Sequence, residues 1–355
     1  MKKHLIAAAV AGAFAVPAMA QVTVYGLVDV GYSSTETKVS NGDKTEASTF
    51  GANGQQAGSR LGFRGEEDLG GGMKAGFVYE LGLDPTVSTG FDAASNRQGF
   101  VSVSGGFGEV RLGRQYTGTF GVNATHDAGG TVSAFGYLGT AAHTGWPTSA
   151  RANDVVRYQT PTMNGLWVAV AMADDTSKTT SNAGVVTTKS EVGGQTVTAA
   201  YAAGPLSAMV SWSSGEAETV ASSVTTLKGE ETRINIGATY NLGMLSIHLT
   251  HNQHEVDNKL AANTDTDYSD TTIGVKVPVG AATIWASTGE GELKAKGLTP
   301  ASARTDYSAY QLGASYALSK RTNVYAIVGE TEGKVKTSGV KTTSEGMHFG
   351  VRHTF

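Results

Sequence analysis

The side chains able to do chemistry in this chain are few and widely spaced. Its 355 residues include no Cys and eight His. With no thiol and no Gly-x-Ser-x-Gly run, it lacks the nucleophile that a hydrolase activates through a neighbouring base. His248 and His254 fall on one face of one alternating segment. Six residues at 3.3–3.4 Å each separate them by about 20 Å, too far to share a metal ion. They read as polar groups of a lumen or loop, and no metal or cofactor is expected. The informative groups are charges set opposite apolar stripes. Val22, Val24, Val28 and Val30 share a face with Gly26, whereas Asp29 shares the other with Thr23 and Tyr25. Ile234, Ile236, Ala238 and Tyr240 likewise oppose Arg233 and Asn235. An Arg in mid-bilayer costs about 2–4 kcal/mol, so these polar faces should look onto water and the apolar faces onto lipid. The implied chemistry is solvation and electrostatic guidance of solutes, without bond making.

The elements that must position such groups are short alternating strands. Sixteen segments have this pattern: about 22–33, 57–67, 73–83, 96–104, 108–116, 151–160, 165–173, 191–201, 206–214, 231–240, 244–254, 267–277, 281–290, 304–317, 322–331 and 346–355. Most have the roughly 9–11 residues that a tilted transmembrane strand needs. Seven short connections, such as Gly105-Gly106-Phe107 and Ala203-Gly204-Pro205, suit tight hairpins through their Gly, Pro and Asn content. They alternate strictly with eight long polar ones: 34–56, 84–95, 117–150, 174–190, 215–230, 255–266, 291–303 and 332–345. That alternation predicts an all-β, closed antiparallel transmembrane β-barrel of sixteen strands, with short periplasmic turns and long extracellular loops.

The ends of the chain agree. Lys2 and Lys3, an apolar run from Leu5 to Val16 and the small-x-small triplet Ala18-Met19-Ala20 predict a cleaved signal peptide over 1–20. One domain is expected over 21–355. No later stretch approaches the length of a transmembrane helix, so a membrane must be crossed by strands. Removing Lys2 and Lys3 leaves 25 basic against 31 acidic side chains, which argues against nucleic acid as a partner. At the other end, Met347, Phe349, Val351, His353 and Phe355 share one face of a final strand, which fits a sealing strand with an aromatic at the interface.

The chain resembles the trimeric general porins of Gram-negative bacteria, most closely the β-proteobacterial type. The resemblance rests on Val22-Thr-Val-Tyr-Gly-Leu-Val-Asp-Val-Gly31 and on the run from Ser59 to Phe77 around the first short turn. It rests also on Phe107-Gly-Glu-Val-Arg-Leu-Gly-Arg-Gln115, Val155-Val-Arg-Tyr-Gln-Thr-Pro161 and Val351-Arg-His-Thr-Phe355. It implies a homotrimer in outer-membrane lipid and lipopolysaccharide, and a third loop folded into the lumen. The residues agree on that loop. Residues 117–150 form the longest connection, and outside the barrel its Val122, Val132, Phe135, Tyr137, Leu138 and Trp146 would sit in water.

The resemblance also implies a constriction in which wall arginines face acids on the inserted loop. Arg60 and Arg151 match wall arginines of the family, with Arg157 on the same face as Arg151. Arg97 matches a third, although the alternation of Val101 and Val103 would turn it outward. Asp127 matches one loop acid; the place of a second falls near Thr131, which puts cation preference in doubt. Phe355 matches the terminal aromatic that the barrel-assembly machinery recognises. The implied function is passive diffusion of ions and small hydrophilic solutes with a preference for anions. A phosphate- or sugar-selective channel, an outer-membrane hydrolase and an adhesin are the alternatives. The first shares the barrel, the second needs the nucleophile missing above, and the third would not conduct.

Overall fold

The computed structural model describes residues 22–130, 150–180, 186–221, 224–259, 265–296 and 303–355. Residues 1–20, the expected signal peptide, lie outside them. Among the described residues are seventeen strands and one short helix: β1 (Thr23–Val39), β2 (Lys44–Asn53), β3 (Arg60–Gly70), β4 (Met73–Leu83), β5 (Phe91–Gly105), β6 (Gly108–Tyr116), α1 (Gly118–His126), β7 (Arg151–Gln159), β8 (Leu166–Thr180), β9 (Val186–Ala203), β10 (Leu206–Ala221), β11 (Val224–Asn241), β12 (Ser246–Asn258), β13 (Asp265–Val279), β14 (Ala282–Lys296), β15 (Ala303–Ala317), β16 (Thr322–Val335) and β17 (Lys341–Thr354).

The seventeen make sixteen staves. β1 pairs along its lower half with β3 (Thr23↔Arg64 to Leu27↔Arg60) and along its upper half with β2 (Val30↔Asn53 to Lys38↔Lys44). β2 and β3 therefore form one stave, interrupted at residues 54–59. Asp29 ties down the interruption. Its carboxylate accepts from Gln56 N (2.8 Å), Ala57 N (2.7 Å) and Tyr325 Oη (2.6 Å). Every later strand pairs antiparallel with its neighbours in sequence, and β17 returns to β1 to close the ring. Closure leaves no sheet edge to satisfy, the condition for strands to cross lipid.

The seam is held at the last residue. Gly26 N donates to Phe355 O and Phe355 N to Gly26 O, both at 3.0 Å. The Phe355 ring lies over Gly26, where a Cβ would come within 2.5 Å of a ring carbon.

Burial is inverted relative to a water-soluble protein. The exposed large side chains are the outward apolar positions, among them Val24, Phe77, Val101, Leu112, Val156, Val197, Val210, Ile236, Leu249, Ile273, Leu312, Phe349 and Val351. The buried ones are largely polar and inward: Asp29, Glu80, Thr196, Thr198, Ser211, Ser213, Arg233, Asn235, Asn252, Gln311 and His348. His248 and His254 are buried on that inner face as well.

Strand boundaries at the short turns fall within three residues of the expected ones, because Gly and Asn fix the chain there. Asn164 (φ 51°) and Gly165 (φ 85°) adopt left-handed backbone in one such turn, which bulkier residues resist. At the opposite rim the strands run on. Expected loops such as 34–56, 174–190 and 215–230 are largely strand among the described residues. Their Thr, Ser and Lys residues carry no apolar alternation, since above the bilayer both faces meet water. The ladder continues there on hydrogen bonds and ion pairs such as Lys44–Glu36 at 2.7 Å.

Candidate pore constriction

The third loop leaves β6, enters the barrel as α1 and lies on the wall formed by β9–β12. Thr117 caps the helix through its side chain, which accepts from Phe120 N at 3.3 Å. The helix is held close by positions that lack side chains. A Cβ on Gly118 would stand 2.0 Å from Thr198 Oγ1 and 2.7 Å from Ser211 Oγ. On the facing wall, Gly237 makes room for His126 and Gly274 for Ala128, each with only 2.6 Å to a hypothetical Cβ. His126 Nδ1 meets Thr239 Oγ1 at 2.9 Å, and the His126 carbonyl meets His248 Nδ1 at 3.2 Å. Ala128 then closes a small apolar cluster with Trp285, Tyr325 and Ile327. Val122 is fully buried, as expected for an inserted loop. Val132, Phe135, Tyr137, Leu138, Trp146 and Thr131 lie outside the described residues.

Across the lumen, the wall from β3 to β7 carries a chain of charged groups. Arg97 Nε donates to Glu80 Oε1 at 2.7 Å, and Arg60 Nη1 lies 4.0 Å from the same oxygen. Arg97 Nη2 also donates to Tyr116 Oη (2.8 Å), which Arg151 Nη2 reaches at 3.2 Å. Tyr116 is the hub. The Arg151 guanidinium sits 4.7 Å above its ring, and its other face stacks on Phe120 of α1 at 4.7 Å. Tyr25 Oη adds a hydrogen bond to Glu80. Arg60, Arg97 and Arg151 are thus gathered in one group, two guanidinium groups at Glu80 and the third joined through Tyr116.

Strand alternation pointed Arg97 outward, and a bulge corrects that expectation. Glu80 pairs with Gln98 but Leu81 pairs with Asn96, so Arg97 is the extra residue and its side chain turns inward. Arg157 does not join this group. It pairs with Arg111, six positions nearer the periplasmic end than Arg151, and donates to Gln159 (2.5 Å).

Asp127 sits on the other side of the lumen, tucked under the loop and only 8% exposed. Its Oδ1 accepts from Gly129 N at 2.7 Å. Burial pushes its carboxyl up to about 7, against the pull of those backbone amides and of Lys276. It is therefore covered by the loop that carries it, not presented to the arginines.

Two members of the group were not singled out as site residues from sequence. Glu80 was readable as an inward carboxylate, opposite Phe77 and Tyr79. Tyr116, at the end of its strand, gave no signal.

A closed sixteen-stave barrel with an inserted third loop and a polar lumen is the architecture of a diffusion channel. The family model for the Gram-negative porins matches residues 7–336. The chain belongs to the Gram-negative porin family. Along its full length this porin is 32% identical to outer membrane porin protein 32 of Delftia acidovorans, all of which is covered. It is 38% identical to major outer membrane protein P.IB of Neisseria meningitidis serogroup B over 114 residues, 32% of this chain and 34% of that one. Among solved structures, the anion-selective porin from Comamonas acidovorans superposes with a TM-score of 0.70 at 27% identity, covering 95% of this chain and all of that one. The protein is an outer-membrane porin, a passive channel of a Gram-negative outer membrane.

Proposed function

We propose that this porin is an anion-preferring channel whose constriction is the cluster of Arg60, Arg97 and Arg151. One observation carries the reading: Arg97 and Arg60 share one carboxylate, Glu80, and Arg151 is joined to them through Tyr116, while the loop's acid, Asp127, is buried on the far wall. Two unit charges 4 Å apart interact by about 1 kcal/mol in water and about 4 kcal/mol at an effective dielectric near 20. An excess of one or two positive charges therefore biases permeation several-fold where low-dielectric walls focus the field. The whole-chain charge is negative, yet the acids of the outer rim are screened within about 8–10 Å at physiological salt. The similarity to the anion-selective porin from Comamonas acidovorans supports the same reading. In planar bilayers under a KCl gradient the reversal potential should favour chloride, and Arg60→Ala with Arg151→Ala should move it toward potassium. A potassium-selective wild type would overturn the proposal.

The working form is a homotrimer of the chain after removal of residues 1–20, with residues 21–355 as one barrel domain and no catalytic activity. It sits in outer-membrane lipid and lipopolysaccharide after delivery to the barrel-assembly machinery, which reads Phe355. Unheated detergent gels should show a trimer band that boiling collapses to monomer.

A further inference from the structure

Below the constriction, on the periplasmic side of α1, the lumen wall holds a second cluster. Arg111 and Arg157 stand directly opposite each other on β6 and β7. Like charges in that position repel unless an anion bridges them. Among the described residues one carboxylate compensates them: Arg111 Nη2 meets Glu109 at 2.8 Å, whereas Arg157 has the neutral Gln159. Both guanidinium groups are braced by rings, Arg111 over Phe100 at 4.9 Å and Arg157 over Trp167 at 5.9 Å. Arg111 Nε and Arg157 Nη1 are buried N–H groups with no hydrogen-bond partner among the described residues. They border a cavity of about 180 Å³ that has an apolar side, formed by Trp167, Val155, Met209 and Gly121 of α1, and a polar side that includes Gln115, Thr196 and Thr198. Liquid water takes about 30 Å³ per molecule, so the space suits a small organic anion better than one or two waters.

We propose that this cavity is a second binding site, for small monocarboxylates that carry an apolar body. The two forks hold the carboxylate by charge-assisted hydrogen bonds, and the body lies on Trp167 beneath the loop. This site goes beyond the constriction reading and does not depend on it. A compact hydrated anion gains only the head contacts, whereas an aromatic acid gains the apolar lining as well.

Single-channel current with benzoate added on the periplasmic side tests the proposal, with acetate and neutral benzamide as comparison probes. Benzoate should reduce the current at a concentration about tenfold below acetate, and benzamide should have little effect. Arg157→Gln and Trp167→Leu should each raise the half-blocking benzoate concentration severalfold. Arg111→Gln provides an independent head-group variant if Arg157→Gln fails to yield heat-modifiable trimer. Arg60→Gln should shift the KCl reversal potential yet leave benzoate block in place, which separates this site from the constriction. Equal potency of benzoate and acetate would overturn the proposal. So would benzoate block unchanged in the folded Arg and Trp variants.

Discussion

Two walls of one barrel treat charge in opposite ways. From β3 to β7 the inner face gathers Arg60, Arg97 and Arg151 around Glu80 and Tyr116. From β9 to β13 the same kind of alternating strand presents Thr196, Thr198, Ser211, Gly237 and Gly274, and its nearby charges Lys276 and Asp127 interact beneath the loop. In the function proposed above, the first wall acts on solutes; the second is the seat of α1. A charge in a pore counts by its neighbours and its place on the wall, so a formal tally over the lumen misleads.

The seat offers the largest effect. Gly237→Val would drive a side chain into His126, and Gly118→Val would collide with Thr198 and Ser211. Overpacking of this kind costs about 1–3 kcal/mol. Lifting α1 relieves it, so single-channel conductance should rise while the trimer still forms. Unchanged conductance in a folded Gly237→Val barrel would mean that the helix does not narrow the pore.

The seam comes next. Gly26→Val places a methyl-bearing carbon against both the Arg60 carbonyl and the Phe355 ring. It should lower the temperature at which the heat-modifiable band is lost. Deleting Phe355 should reduce the amount of folded protein reaching the outer membrane, measured by the same gel shift.

On the arginine wall, Glu80→Gln should move the reversal potential further toward chloride. It removes the carboxylate shared by Arg97 and Arg60, and breaking a buried pair costs about 3 kcal/mol, so thermal stability should fall together with the gain in selectivity.

Much of this was legible in the sequence, for physical reasons that also mark where legibility ended. Period-two alternation exists because one face meets lipid and the other water, so Val101, Ile236 and Asn235 declared their directions in advance. Arg97 misled because a bulge inserts one residue into the ladder, and that depends on pairing with β4, not on β5 itself. Strands above the bilayer were read as loops because water on both faces removes the pattern. Asp127 was identified as a loop acid, but its burial depends on Gly237 and Gly274, more than a hundred residues away. No local pattern announces a glycine as the seat of a distant histidine.

The smallest expected effect is the pH dependence of Asp127. Its carboxyl titrates near 7, so it is neutral below that pH and negative above it. Rising pH therefore adds one negative charge on the far wall, and chloride preference should decline slightly between pH 6 and 8. Asp127→Asn should abolish that slope. The decline should be small because the loop covers the group.

The contrast between the walls is tested most directly by two single substitutions of equal charge, Arg97→Gln on the arginine wall and Lys276→Gln near Asp127, each measured by reversal potential under one KCl gradient. The expected result is a clear shift toward potassium for Arg97→Gln and little change for Lys276→Gln. A shift for Lys276→Gln as large as or larger than that for Arg97→Gln would contradict the account.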